Sequence, residues 1–172
     1  AAAEEGNSIL DLCTGSGAIA VAVYKELEKN KRKASVTASD ISEEALALAK
    51  ENAEENGADI AFVQSDLFSR IRGRFDIIVC NPPYIPSGDI AGLQREVRDF
   101  EPRLALDGGA DGLDYYRRIA EDAGKYLVRG GMLVMEVGLG EAESVVKLFR
   151  YCDYSMVVKD FNGIDRFVKI VF

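Results

Sequence analysis

Short apolar blocks alternate with stretches of helical spacing from one end of this chain to the other. Ser8–Leu12, Ser35–Ser39 and Ile60–Gln64 read as strands, and Arg74–Cys80 reads as a strand buried on both faces, with Phe75, Ile77, Ile78 and Val79 in an unbroken run. A helix is expected from Ala18 to Lys29. A second opens at Ser42, whose hydroxyl suits the cap, carries Glu43 and Glu44 in the first turn and stops at Gly57. Beyond Gly112 the pattern predicts a helix over Leu113–Val128, a strand over Met132–Val137 and a helix over Glu141–Tyr151. Two final strands, Tyr154–Lys159 and Arg166–Phe172, are joined through the turn signal Asn162-Gly163. Such alternation makes one α/β domain over residues 1–172: an open, mostly parallel sheet with helices on both faces and a C-terminal antiparallel hairpin. Only Asn81–Gly112 lacks periodicity, and an irregular segment of that length inside a compact domain is the place to look for a substrate site.

Composition narrows the chemistry. The chain has no histidine and three scattered cysteines, Cys13, Cys80 and Cys152, without a Cys-x-x-Cys pair. Histidine-dependent triads, a histidine general base, a disulfide framework and the usual zinc ligand sets are therefore excluded, and no metal is expected. Cys13 and Cys80 end apolar runs and read as reduced core thiols, which fits a cytoplasmic protein. No apolar run approaches a membrane span, and the acidic start, Ala1 to Gly6, has no secretory leader and reads as an abrupt beginning. A net charge of −8 repels phosphate backbones, so direct nucleic-acid binding is not expected. The basic run Lys29-Asn30-Lys31-Arg32-Lys33 reads as a solvated turn, and the acidic loop near Asp107–Asp114 reads either as a grip for a basic substrate or, the preferred reading, as solvated.

Three motifs carry the chemistry. Asp11-Leu-Cys-Thr14-Gly15-Ser-Gly17-Ala follows a strand and opens a helix, where glycine lets the backbone approach a ligand and reach positive φ. No lysine follows Gly17, so this is not a phosphate-binding P-loop. Asp40 ends the second strand 23 residues after Gly17, and there a carboxylate suits bidentate acceptance from ribose hydroxyls. Asn81-Pro82-Pro83-Tyr84 follows the buried strand. Its prolines stiffen the loop. The Asn81 side-chain oxygen and the Pro82 carbonyl can accept both hydrogens of one NH2 group, and Tyr84 can lie against a flat amide or base. Two such acceptors favour pyramidalisation of a delocalised nitrogen and turn its lone pair toward an electrophile, without a base.

With these residues in this order the chain resembles the class I S-adenosylmethionine-dependent methyltransferases, and within them the protein-(glutamine-N5) methyltransferases of peptide-chain release factors. The shared residues are Asp11–Ala20, Ser39–Ser42, Asp66-Leu67-Phe68, Phe75–Pro86, Asp160–Arg166 and, most telling, Glu101-Pro-Arg-Leu-Ala-Leu-Asp-Gly-Gly-Ala-Asp-Gly-Leu-Asp114. The resemblance implies a Rossmann-like seven-stranded sheet that binds S-adenosylmethionine through Asp11, Thr14, Gly15, Gly17, Asp40, Ile41, Asp66, Leu67 and Asn81. Asp66 would face the adenine amino group and Leu67 its ring. Asn81, Pro82 and Tyr84 would be catalytic, and with Pro83 would hold the glutamine of a release factor's Gly-Gly-Gln motif. The chain departs from the family in lacking its N-terminal helical domain and in carrying Gly140 where a glutamine is frequent. Adenine-N6 methylation of DNA or RNA is the alternative that Asn-Pro-Pro-Tyr shares, and a non-catalytic cofactor-binding module is the second.

Overall fold

A computed structural model of the chain describes residues 6–172; the start at residues 1–5 lies outside the described residues. Four parallel strands build the first half of one sheet: β1 (Asn7–Leu12), β2 (Ala34–Asp40), β3 (Ala61–Gln64) and β4 (Phe75–Cys80). β5 (Leu127–Glu136) continues it in parallel, and β6 (Tyr154–Lys159) and β7 (Asp165–Val171) close it antiparallel, in the order β3-β2-β1-β4-β5-β7-β6. The expected seven strands and hairpin are all present. From β1 the chain moves outward to β2, whereas from β4 it moves the opposite way to β5. The carboxyl ends of β1 and β4 therefore flank the switch point at which open α/β sheets bind ligands.

Alternation along β1 explains the two layers. Leu10 and Leu12 point to the face covered by α5 (Asp114–Asp122) and α6 (Ala142–Val146), where they join Ile78, Leu133, Tyr116, Ile119 and Val145 in the main core. Ile9 faces the other side and packs with Ile77 beneath Val23 and Leu27 of α1 (Ala18–Lys29). Beside it Val36 and Ala38 of β2 meet Ala20 of α1 and Ala53 of α2 (Glu43–Glu55). Ser42 caps α2 as expected, accepting from Ala45 N at 3.1 Å.

Three sequence expectations are corrected. The helix expected over Leu113–Val128 ends at Asp122, and after a single tight turn at Ala123–Lys125 the strand already begins at Leu127. Phe75 N donates to the Tyr126 carbonyl at 2.8 Å, and the Tyr126 ring stacks on Phe68 at 4.6 Å, so tertiary pairing overrides helical propensity there. The helix expected over Glu141–Tyr151 is regular only over Ala142–Val146. Its continuation tightens to i→i+3 bonds (Leu148 N to Val145 O, Phe149 N to Val146 O), turning Phe149 edge-on to Phe172. The irregular stretch Asn81–Gly112 contains two one-turn helices, α3 (Arg95–Arg98) and α4 (Arg103–Leu106). The hairpin turn expected at Asn162-Gly163 spans residues 160–164, where Asp160 Oδ1 accepts from Asn162 N at 2.8 Å and Ile164 N at 3.0 Å, closing the loop from within.

Gly17 sits at φ +80°, and a Cβ there would lie 3.0 Å from the Ala49 Cβ and 3.2 Å from its Cα. Close approach to α2 thus demands this glycine as much as the turn does. Gly17→Ala is expected to lower the unfolding free energy by about 2–4 kcal/mol. Gly57→Ala, at φ +60° with open space around it, should cost only about 1 kcal/mol. Urea unfolding of the two variants checks the difference.

Candidate active site

The segment after β1 is held by two carboxylates. Asp11, fully buried, accepts from the Thr14 hydroxyl at 2.6 Å and from Ala20 N at 3.0 Å, both at Oδ2. Helix α1 has Gly17 at its cap position and no side-chain cap of its own, so a strand carboxylate satisfies one of its orphan amides. Burial pushes the Asp11 carboxyl up to about 6, against the lowering by Thr14 and Ala20, with Asp40 adding to the rise. Its Oδ1 is buried without a hydrogen-bond partner. Asp40, at the end of β2, accepts from Gly15 N at 2.8 Å through Oδ2 and from Ser42 N at 3.0 Å through Oδ1. It therefore ties the glycine loop to the start of α2 while remaining half-exposed.

These loops form one wall of a cavity of about 680 Å³. Of the residues singled out in the sequence, Thr14, Gly15, Asp40, Ile41, Asp66, Leu67, Asn81 and Pro83 line it. Asp11 and Gly17 do not: the first lies beneath Thr14, and the second packs on Ala49, so each shapes the loop from behind. Pro82 and Tyr84 are also absent from the lining. Two residues in the wall, Cys13 at φ +60° and Leu67 at φ +45°, occupy the left-handed region that side chains rarely adopt. Local strain of this kind concentrates at binding sites. The Leu67 conformation is locked by the buried Ser65 hydroxyl, which donates to the Leu67 carbonyl at 2.6 Å and accepts from Arg70 N at 3.0 Å. Asp66, weighed in the sequence for the adenine edge, pairs with Arg118 at 2.8 Å. Cys80 is the buried thiol expected, pushed well up by burial and then by the neighbouring Cys13 thiol, whereas Cys13 is half-buried in the cavity wall.

Another part of the wall comes from the long segment that follows β4: Glu101, Pro102, Leu104 and Ala105, around α4, line the cavity too. The position of this wall is set by stitches between its two arms. Ile85 N donates to Leu106 O at 2.9 Å, Gly108 N to Ile85 O at 2.8 Å and Ser87 N to Gly109 O at 2.8 Å. Asp107 adds three more, accepting from Ser87 Oγ at 2.5 Å, Gly109 N at 3.1 Å and Arg103 Nε at 3.1 Å, and its carboxyl is held below the usual range, chiefly by the Ser87 hydroxyl. The acidic loop read as solvated is in this respect a staple. Nothing in local sequence pointed to Tyr115 of α5, whose ring also lines the cavity.

Tyr84 stands outside the cavity lining. Its hydroxyl donates to Glu136 Oε1 at 3.4 Å, and burial, followed by the Glu136 charge, raises its pKa. The buried Tyr116 hydroxyl donates to the Glu136 carbonyl at 2.9 Å. A Cβ at Gly112 would stand 2.5 Å from the Tyr84 carbonyl and 2.6 Å from Glu141 Oε1; one at Gly138 would stand 3.1 Å from the Tyr84 ring. A Cβ at Gly108 would stand 2.7 Å from the Tyr84 Cα, so three glycines let the Asn81–Tyr84 turn sink onto its support. Glu141 Oε2 is buried there without a partner, and burial raises its carboxyl pKa. Gly140, where the resemblance departs, sits in an open turn at φ +82°.

A family profile described as the methyltransferase small domain matches residues 2–96. The release factor glutamine methyltransferase of Geobacter sulfurreducens is 48% identical over 165 residues, which is 94% of this chain and 56% of that protein. The protein of the same name from Streptococcus pneumoniae is 48% identical over 147 residues, 86% of this chain and 51% of that protein. The chain thus spans about half the length of the curated relatives it matches. Among solved structures, a methyltransferase from Pyrococcus furiosus superposes with a TM-score of 0.71 at 17% identity, covering 98% of this chain and 76% of that one. TrmN from Thermus thermophilus gives 0.68 at 23%, covering 98% and 45%. At these identities the superpositions establish the fold. Among the described residues no helix is long and apolar enough to cross a membrane, and no group of three or more cysteine, aspartate or glutamate side chains could hold a metal ion.

The Asp11 carboxyl gives a stability prediction. Between its ordinary 3.8 and about 6 the folded chain holds a proton that the unfolded chain has released. Stability therefore falls as pH rises through that window, by at most about 3 kcal/mol. Asp11→Asn cannot titrate and should lose this slope, so its stability relative to the parent improves from about pH 4 to about pH 7. Urea unfolding at the two ends checks it; equal slopes for both proteins would refute the assignment.

Proposed function

This chain belongs to the methyltransferase small domain family, and on that footing we propose that it binds S-adenosylmethionine and methylates the side-chain amide nitrogen of glutamine in the Gly-Gly-Gln motif of a peptide-chain release factor. The observation that carries the reading is the entry of Asn81 into the same cavity that Asp40, Gly15 and Asp66 line. A donor held there lies against the one side chain suited to orient a planar NH2 group. The names of the relatives, at 48% identity, support glutamine over adenine as acceptor.

The cavity fits the methyl donor. Its volume, about 680 Å³, suits a nucleoside-sized ligand. Asp40 already spends one lone pair of each oxygen on backbone amides, which fixes the carboxylate and leaves the remaining pairs for ribose hydroxyls. A side chain at Gly15 would meet nothing within 4 Å, so the backbone there is open to a ligand. Ile41 and Leu67 give apolar surface for a base, beside Asp66 as acceptor for its amino group. When bound, the donor supplies a sulfonium methyl whose carbon–sulfur bond breaks as the nitrogen–carbon bond forms.

The chain's own residues supply orientation. Asn81 Oδ1 and the Pro82 carbonyl accept the two amide hydrogens and direct the nitrogen lone pair into the cavity. Tyr84, anchored through Glu136 and seated over Gly112 and Gly138, gives the ring on which the flat amide rests. One amide proton departs to solvent once the new bond has formed. Weakly basic amide nitrogen needs no deprotonation before attack, so a chain without histidine suffices. The reading places the protein in the cytoplasm, with a release factor as its protein partner and no direct hold on nucleic acid or membrane.

Mass spectrometry of a release factor incubated with the chain and S-adenosylmethionine, alongside adenine-containing DNA and RNA, should show one methyl on the Gly-Gly-Gln glutamine; a methyl on adenine instead would hand the site to the nucleic-acid reading. Asn81→Ala is expected to lower turnover by about 10³-fold or more while changing donor affinity less than about threefold. For Tyr84, substitution by Ala should lower turnover by about 10–100-fold and by Phe far less, since the ring is the part used.

A further inference from the structure

Helix α5 begins directly after the Gly108–Gly112 turn and sends two side chains toward the cavity. The half-buried ring of Tyr115 lines it. One turn further on, the Arg118 guanidinium lies 5.8 Å from the centre of that ring and donates through Nη2 to Asp66 Oδ1 at 2.8 Å. Both partners of the pair are about half-exposed, 48% and 44%. An isolated exposed pair of this kind contributes little to stability, so stability gives no reason for its position. Two facts set it apart from the other surface pairs. Its acid stands in the cavity wall, and it bridges two elements 52 residues apart, the turn after β3 and the helix that follows the acceptor segment. That turn is fixed on its other side by the Ser65 hydroxyl and by Leu67 at φ +45°. The Asp66 side chain is the part that still needs orienting.

We propose that Arg118 is a positioning residue for base recognition: by holding Asp66 Oδ1 against the Tyr115 shelf, it leaves Oδ2 to accept from the 6-amino group of a purine. Arg118 thereby sets the discrimination between 6-amino and 6-oxo purines. The inference rests on the proposed placement of the donor's adenine at Asp66 and Leu67. A 6-oxo purine presents an acceptor where the 6-amino purine presents a donor, and a carboxylate held in place repels it. A carboxylate free to rotate turns away and discriminates less. Arginine is suited to this because its planar fork fixes direction as well as charge.

The test measures binding by calorimetry, without turnover, using S-adenosylhomocysteine and S-inosylhomocysteine, which differ at the purine 6-position and in the proton that the 6-oxo form carries on N1. The parent protein should prefer the adenine compound by about tenfold or more. Arg118→Ala should weaken the adenine compound by about five- to tenfold, leave the inosine compound within about twofold, and so remove most of the preference. Arg118→Lys should restore part of it. In an Asp66→Ala background, Arg118→Ala should change nothing further. Equal weakening of both compounds by Arg118→Ala, or an undiminished effect in the Asp66→Ala background, would mean that Arg118 acts through the fold and would overturn the inference. Loss of preference in Asp66→Ala but not in Arg118→Ala would overturn it while leaving the adenine placement intact. No preference in the parent protein, together with no effect of Asp66→Ala, would remove both.

Discussion

The first strand carries, one residue before its end, a carboxylate that the following helix uses in place of its own cap. Asp11 is buried there, and its Oδ2 satisfies both the Thr14 hydroxyl and the third amide of α1. That single oxygen decides where the helix starts relative to the strand, and so fixes the path of Cys13–Gly17 between them. The tightness of the arrangement shows in its costs: Oδ1 is left without a partner and the carboxyl resists ionisation. Asp40 repeats the device one strand further out, this time half-exposed and joining two loops. The remainder of the cavity is arranged around these two carboxylates.

The acceptor side is built on another principle. The Asn81–Tyr84 turn is stiffened from within by its prolines and supported from below by backbone. Glycines at 108, 112 and 138 let it sink, Glu136 tethers the Tyr84 ring, and Asp107 fastens the arm that returns to the cavity. Hardly any of this support makes contact with the cavity itself. Asp11 and Gly17 shape the lining from behind, and Pro82 and Tyr84 stand outside the donor cavity, where the proposed acceptor amide meets them.

What could be read from the sequence divides along the same line. The seven strands, their alternation with helices, the C-terminal hairpin and the turns at Gly15, Asp40 and Asn81 follow from local periodicity and from glycine, carboxylate and proline at chain turns. All of these are short-range signals. The Tyr126–Phe68 stack that cuts α5 short, the inward turn of Phe149, the bridge from Ile85 to Asp107 and the cavity-facing side of α4 depend on partners tens of residues away. Gly17 was read for its freedom near a ligand, yet its tightest neighbour is Ala49 on α2. The pairing of Asp66 with Arg118 had no local signal, because nothing in either segment marks the other.

The placement of β7 sets the timing of folding. It is made after β6 but lies between β6 and β5, pairing with both. Until residues 165–171 have left the ribosome, β5 offers an unpaired flank and β6 has no neighbour in the sheet. The growing chain can settle β1 to β5 early, but it carries an open, sticky border throughout synthesis of the following segment. Completion waits on β7, which covers β5 and pairs β6 at once. Slow translation of residues 165–171 would therefore lengthen the interval in which the nascent chain is open to mispairing or to capture by a chaperone.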